Sequence, residues 1–513
     1  MFETSFEDFA QDQKLYKTIP IISHVHVDTL TPIDIFHALQ DEAVFILESH
    51  DQESTWSNFS FIGLNPLYFI REKMNQFVFE NRQEEVLFTS HSISELFQRI
   101  EQTLHVKKPK LNIPFIGGAV GSIGYEAVTL FEKVPNHSKS DVQRTKCELL
   151  LCETIIAFDH HKKQMTIIHY ETVDGIETNE KIKEIYAAAT EKVVSLHRKL
   201  KQRTRLEQPF IHTDTSPVSF ESFSSNYKKT SFMNDVEKIK EYIRSGDIFQ
   251  AVLSQRFEKK VTVSAFQLYR ALRIVNPSPY LFYIKLSNEE LIGSSPERLI
   301  HVLGDHLEIH PIAGTRRRGN SNEEDQQLAT QLIQDKKELA EHYMLVDLAR
   351  NDIGRVASYG SVQTPQLLEL TYFSHVMHLI SKVTGRLKED IHPMDALISS
   401  FPAGTVSGAP KVRAMQILHE LEPTARGSYA GCVAYIGFDG NIDSCITIRT
   451  ISLQNGVAYV QAGAGIVADS KPELEWKETI NKASALIKTI EIAEQTFKTE
   501  GEGSNEKHSE KVY

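Results

Sequence analysis

The sequence predicts an α+β protein, and three observations carry that prediction. Short apolar runs separated by turn residues crowd residues 33–174. Three long stretches, at 179–202, 325–352 and 472–497, carry helical signals instead. The strand signals of the second half come in clusters, without the strict strand–helix alternation of a doubly wound sheet.

In the first half "AVFILES" (43–49), "SNFSFIGLNP" (57–66), "IPFIGGAVGSIGYEAV" (113–128) and "TIIAFDH" (154–160) read as strands or strand edges. Their β-branched and aromatic residues lie between Gly, Pro, Asn and Asp punctuation. A charged helix follows at 179–202. The Ser/Thr-rich stretch "EQPFIHTDTSPVSFESFSSN" (207–226) then reads as a linker. Beyond it "DIFQAVLSQRF" (247–257), "YLFYIKL" (280–286), "GCVAYIGF" (431–438), "SCITIRTISL" (444–453) and "VAYVQAGAGIV" (457–467) predict strands. The tail 498–513, polar and charged, is expected to be disordered. At 513 residues the chain is long for one core, which predicts two lobes or one elaborated one. The expected division is an N-terminal lobe over 15–205 and a second region over 225–490.

Composition excludes several classes. A net charge of −12 argues against general nucleic-acid affinity, which needs a basic face. The amino terminus "MFETSFEDFAQDQ" is acidic and has no signal-peptide pattern. No run approaches the ~18 apolar residues of a membrane span. Four scattered cysteines, without metal spacing, fit a reducing compartment. A cytoplasmic protein without membrane or nucleic-acid partners is therefore expected.

Several stretches could carry chemistry. "QAGAGIVADS" (461–470) matches a dinucleotide fingerprint in letters, yet Lys471-Pro472 interrupts the helix that the motif requires. Glu338 and Glu341 share one helix face, as do Glu475 and Glu478. Hard oxygen donors from two helices suit Mg²⁺. Ordinary surface pairing with Lys336, Lys337, Lys477 and Lys482 explains the spacing equally simply, and spacing alone favours it. Glu297, in "GSSPERL", follows a strand, where general acids are often placed. His375 and His378 lie in a partly apolar run, where a histidine is more often a satisfied core residue than a catalyst. "SFPAGTVSGAPKVRAM" (400–415) leads small residues into a helix but lacks P-loop order. No cysteine sits in a nucleophile elbow, so glutamine-derived ammonia would have to come from another chain.

Taken together, "DIFQAVLSQRF", "NPSPYLFY", "GSSPERL", "PIAGTRRRG", "KELAEHYMLVDLARNDIGRV", "SHVMHLISKVTG", "FPAGTVSGAPKVRAM", "GSYAGCVAYIGF" and "QAGAGIVADSKPELEWKETINKA" resemble the motifs of the chorismate-utilising enzymes, in order. They cover most of 225–490, and the anthranilate-forming branch is the nearest match. The resemblance implies two β-sheets packed as an orthogonal sandwich flanked by helices. It implies Mg²⁺ held by Glu341 and Glu478, with Glu338 and Glu475 in the same acidic cluster. Chorismate would be held by Gly314, Thr315, Tyr429, Arg449, Gly463, Ala464, Gly465 and Lys482. Glu297 would be the general acid, and His378 would serve the aromatising stage as proton carrier or orienter.

Two positions separate the branches of the family. Water-using relatives place a lysine base where this chain has Gln250, so Gln250 implies amination. The folate-pathway relative, aminodeoxychorismate synthase component I, places a nucleophilic lysine where this chain has Ala313. Anthranilate is thus the implied product, made with a glutaminase subunit in a hetero-oligomer. Ser49, Pro279, Tyr280 and Leu281 match the family's site for L-tryptophan as feedback inhibitor.

Overall fold

A computed structural model describes residues 2–49, 58–137, 139, 146–173, 175–203, 206, 211, 218–372 and 376–497. His375, the tail 498–513 and much of the expected linker lie outside the described residues.

Two long strands organise the molecule. The first half of Phe59–Lys73 pairs with Ala43–Glu48 and the second half with Gln76–Asn81. Its other edge pairs with Cys147–Asp159. That strand in turn pairs with Gly118–Ile123 through its first half and with Gln164–Thr172 through its second. Both strands therefore pass from one sheet into another. The passage coincides with a register shift between Pro66 and Tyr68 and with Asn65 at φ 51°. Such irregularities bend a strand and let it turn a corner between packed sheets.

The first sheet continues from Ala43–Glu48 through Tyr280–Lys285, Glu290–Ser295, Thr450–Gln454 and Val457–Ile466 to Gln250–Lys260. The second continues from Gly118–Ile123 through Cys432–Gly437, Ile442–Ile446, Arg298–Leu303 and His306–Ile309 to Val376–Arg386. Phe45, Phe61, Phe115, Val120, Ile155, Phe282 and Tyr435 fill the space between them. Helices Asn179–Gln202, Ala265–Val275 and Pro472–Phe497 cover the outer face of the first sheet. Ile93–Leu104, Lys336–Gly354 and Pro393–Ser400 cover that of the second. This is the α+β sandwich that the sequence predicts.

The residues of 15–205 and of 225–490 share both sheets rather than each building its own. Ala43–Glu48 pairs with Tyr280–Lys285, and Gly118–Ile123 pairs with Cys432–Gly437. Either half alone would expose long, hydrophobic strand edges.

The helices expected at 179–202 and 472–497 appear as Asn179–Gln202 and Pro472–Phe497. The single helix expected over 325–352 is instead two, Asn322–Gln334 and Lys336–Gly354. Asp335 breaks it with an extended backbone, and its carboxylate accepts from the amides of Lys337 and Glu338. Capping wins over continuous helical periodicity at that point. The strand expected over 444–453 is likewise two, separated by a turn in which Arg449 adopts φ 51°. The glycine-rich 461–466 stretch is plain strand, so no phosphate-binding turn forms there.

Candidate active site

The site gathers where Gln250–Lys260 and Val457–Ile466 lie side by side, with Val252 opposite Gly465 and Ser254 opposite Gly463. A Cβ at Gly463 would stand 2.9 Å from the Tyr429 hydroxyl oxygen and 3.1 Å from the Leu253 carbonyl oxygen. One at Gly465 would stand 2.7 Å from Gln250 Nε2. The two glycines thus let Tyr429 and Gln250 lie against the strand. Ala464, between them, turns its methyl into the core, leaving only its backbone for a ligand.

Cations meet this strand from the next element. Lys482, on helix Pro472–Phe497, donates to the Gly463 carbonyl at 3.1 Å and pairs with Glu478 at 2.7 Å. Arg449 Nη1 donates to the Lys482 carbonyl at 2.5 Å. Burial holds the Arg449 pKa below its usual value, with Tyr429 nearby acting in the opposite sense. Arg449 and Lys482 therefore present positive charge beside Tyr429, an arrangement suited to a carboxylate.

Glu297 enters from the end of the strand Glu290–Ser295. Its carbonyl accepts from the Ile446 amide at 3.0 Å, which fixes its backbone three residues from Arg449. The side chain keeps some solvent exposure but is closely surrounded by protein, and burial pushes its pKa up to about 7. Thr405 and Lys482 act in the opposite sense. The Thr405 hydroxyl lies beside the carboxyl without a hydrogen bond of regular geometry. A carboxyl of this kind is protonated for a useful fraction of the time near neutral pH.

On the opposite side, Gly314 takes φ 74°, and a Cβ there would approach Leu332 Cδ1 at 3.0 Å and Glu338 Oε2 at 3.4 Å. His378 Nδ1 lies 3.1 Å from the Gly314 carbonyl and 3.0 Å from Thr315 Oγ1. A carbonyl only accepts, so Nδ1 carries the proton and Nε2 the lone pair. Burial lowers the His378 pKa, which favours the neutral ring.

The glutamates of the two helices act on one another electrostatically. Burial raises the Glu341 pKa, and Glu338 and Glu478 add to the rise. Burial also raises that of Glu475, with Glu478 adding to it. Hard oxygen donors that repel one another across two helices fit a divalent cation. They stand wider than Glu153, His169 and Glu171, the tight three-group cluster found among the described residues. In that cluster Lys192 already supplies the positive charge, 2.6 Å from Glu153 and 3.1 Å from Glu171.

The three consecutive arginines are internal ties. Arg316 binds Asp335 at 2.8 Å and Glu338 at 3.3 Å, Arg317 binds Glu324, and Arg318 binds Asp325. They anchor the strand Ile312–Arg317 to the two helices that follow it. Lys411 is also structural, reaching both oxygens of the buried Asp352 at 3.1 and 3.0 Å. An open depression of about 440 Å³ near Phe223 and Lys259 contains none of the site residues.

A second locus forms where Leu281 pairs with Glu48, which sets Ser49 beside Pro279 and Tyr280. The Leu281 side chain is buried in the core. The Tyr280 hydroxyl accepts from Arg298 Nε at 2.7 Å and donates to Asp443 at 3.0 Å. Glu48, which the sequence reading did not single out, is buried and accepts from the Tyr269 hydroxyl at 2.6 Å. It also pairs with Arg273 at 2.6 Å. A lone glutamate in an apolar strand was the available signal.

Residues 43–488 match the family model described as chorismate binding enzyme. Anthranilate synthase component 1 of Bacillus subtilis (strain 168) is 52% identical over 510 residues, covering 99% of each chain. That of Geobacillus stearothermophilus is 54% identical, covering 95% of this chain and 97% of its own. The crystal structure of anthranilate synthase component I from Streptococcus pneumoniae TIGR4 superposes with a TM-score of 0.72 at 36% identity. It covers 90% of this chain and 98% of its own. The menaquinone-specific isochorismate synthase from Escherichia coli shares the fold, with a TM-score of 0.66 at 19% identity. A half-buried carboxyl with a raised pKa, a cationic strand edge and an acidic helix pair thus sit in a chain that matches these relatives almost end to end. The chain belongs to the anthranilate synthase component 1 family of chorismate-binding enzymes.

Proposed function

We propose that this chain converts chorismate and ammonia to anthranilate, pyruvate and water, the ammonia coming from a separate glutaminase chain. The observation that carries the reading is Glu297, a half-proton carboxyl held near Arg449 and Lys482, combined with the neutral Gln250 where a water-activating base would be needed. The names of the relatives support the same branch.

Arg449, Lys482, Tyr429 and the amides at 463–465 receive the substrate, with Gly314 and Thr315 on the facing side. The lone pair of ammonia forms the new C–N bond beside the carboxylate-bearing carbon, and the ring double bonds shift. Glu297 gives its proton to the departing hydroxyl, which leaves as water, because hydroxide is a poor leaving group. The added nitrogen sheds a proton, which restores the acid. The ring then loses a proton as the C–O bond to the enolpyruvyl group breaks, which leaves an aromatic ring, and the released enolate takes up a proton at its methylene carbon to become pyruvate. His378, neutral with its Nε2 lone pair, serves this stage. Glu341 and Glu478, with Glu338 and Glu475 near them, would hold Mg²⁺. Bound there, the ion would supply a Lewis acid and electrostatic clamp for the ring carboxylate. Ser49, Pro279 and Tyr280, with the backbone of Leu281, form the site proposed for L-tryptophan, and the N-terminal residues 15–205 are then partly regulatory. The setting proposed is the cytoplasm. No described helix is long and apolar enough to cross a membrane.

Purified protein with chorismate, Mg²⁺ and ammonium should form fluorescent anthranilate and stoichiometric pyruvate. Aminodeoxychorismate as the only product would overturn the reading in favour of the folate-pathway relative, against which Ala313 weighs.

A further inference from the structure

Arg256 and Arg426 are the two arginines among the largest fully buried side chains of the described residues, and Arg426 lies behind the substrate-facing residues. Arg426 is 1% exposed. Its Nη2 donates to the Val252 carbonyl at 2.6 Å, on the strand that carries Gln250. Its Nη1 donates to the Val406 carbonyl at 2.7 Å, one residue beyond Thr405 and hence beside Glu297. Its face lies 4.5 Å from the Tyr125 ring centroid and 5.7 Å from that of Tyr429.

Glu422 completes the arrangement. It accepts from Arg426 Nε at 2.8 Å and Nη2 at 2.7 Å. The same carboxylate accepts from the Ser254 amide at 2.9 Å and its hydroxyl at 2.7 Å. From the N-terminal half, Glu126 accepts from the amides of Arg426 and Gly427 at 2.7 and 2.8 Å, just ahead of Tyr429.

We infer that Arg426 is a positioning residue for the reaction, holding the Gln250 strand, the Thr405 turn and the Tyr429 ring in fixed relation through one guanidinium. The inference rests on the roles proposed above for Gln250, Glu297 and Tyr429. A buried ion pair is a weak source of stability, because apolar replacements of similar volume often serve as well or better. What a planar fork supplies in addition is direction, since its donors leave at fixed angles toward a carboxylate and two carbonyls. Lysine keeps the charge but cannot reproduce that fan of donors.

The test uses full-length Arg426→Lys and Glu126→Gln, with melting temperature, kcat, chorismate KM and the pH profile of kcat for each. Arg426→Lys should lose about tenfold or more in kcat/KM, divided between a raised KM and a lowered kcat. Thr405 and Lys482 are the groups that hold the Glu297 pKa down. A loosened Thr405 turn should therefore move the alkaline limb of kcat upward by roughly half a pH unit. Glu126→Gln, which only weakens the grip on the loop ahead of Tyr429, should raise KM while melting close to the parent. Folded Arg426→Lys with kcat and KM within about twofold of the parent and an unmoved pH limb would overturn the inference. If Arg426→Lys does not fold, an unchanged KM in Glu126→Gln overturns it equally. A parent protein that makes no anthranilate would instead reject the functional reading on which the inference rests.

Discussion

Replacing Glu297 by glutamine should weaken the enzyme and strengthen the fold, and the two effects have one cause. Burial raises this carboxyl from its ordinary value of 4.5 to about 7. At pH 7.5 an acid of pKa about 7 is about one-quarter protonated, whereas one of 4.5 is protonated about one part in a thousand. Burial therefore increases the working acid form by roughly two orders of magnitude at that pH. The same shift has a cost. A folded-state pKa above the unfolded value contributes stability that is complete below about pH 4.5 and lost as pH rises through about 7. A shift of this size corresponds to about 3 kcal/mol, and glutamine, which does not titrate, escapes it. Glu297→Gln should lose on the order of a thousandfold in kcat. Its stability relative to the parent, from urea unfolding at several pH values, should grow between pH 4.5 and 7.5. The parent's kcat should fall above about pH 7 as the acid deprotonates. A variant within tenfold of parental kcat would refute the acid role, and a stability difference independent of pH would refute the burial behind it.

Gly463→Ala puts a methyl 2.9 Å from the Tyr429 hydroxyl oxygen and 3.1 Å from the Leu253 carbonyl. It should cost about 1–3 kcal/mol in thermal unfolding and raise chorismate KM; a neutral result would remove the close-packing reason for that glycine. Glu341→Gln takes one charge from the repelling set. It should lower kcat/KM on the order of a hundredfold and abolish the Mg²⁺-dependent rise in melting temperature; an intact rise would place the metal elsewhere. Ser49→Ala should weaken tryptophan inhibition of anthranilate formation with little change in kcat. Retained inhibition would show that the Ser49 hydroxyl is not a contact.

Much of the fold was legible because its signals are local. The helix Pro472–Phe497 begins at the proline that opens the predicted pattern, and Val457–Ile466 forms the expected strand despite its glycines. The break at Asp335 was also legible in principle. Asp-x-x-Glu before a helical run is a capping signal, but the continuous periodicity on either side concealed it. The arginines of "TRRRG" were harder, because their partners Asp335, Glu338, Glu324 and Asp325 become partners only when two helices fold back on the strand. Arg426 gave no signal that separated it from a surface arginine.

The sequence by itself determined the element types, the carboxylate spacing on two helices, the glycines of 463–465 and the motif order that marks the family. Each of these is a property of residues near one another in the chain, where periodicity and turn chemistry act. The tertiary structure decided what those residues can do. It brought Gln250 against Gly465 and set Glu297 beside Arg449 and Lys482. It interleaved the two halves so that Glu126 grips the loop before Tyr429. Desolvation depends on everything that closes around a group, so the raised pKa of Glu297 belongs to the fold and to no stretch of sequence.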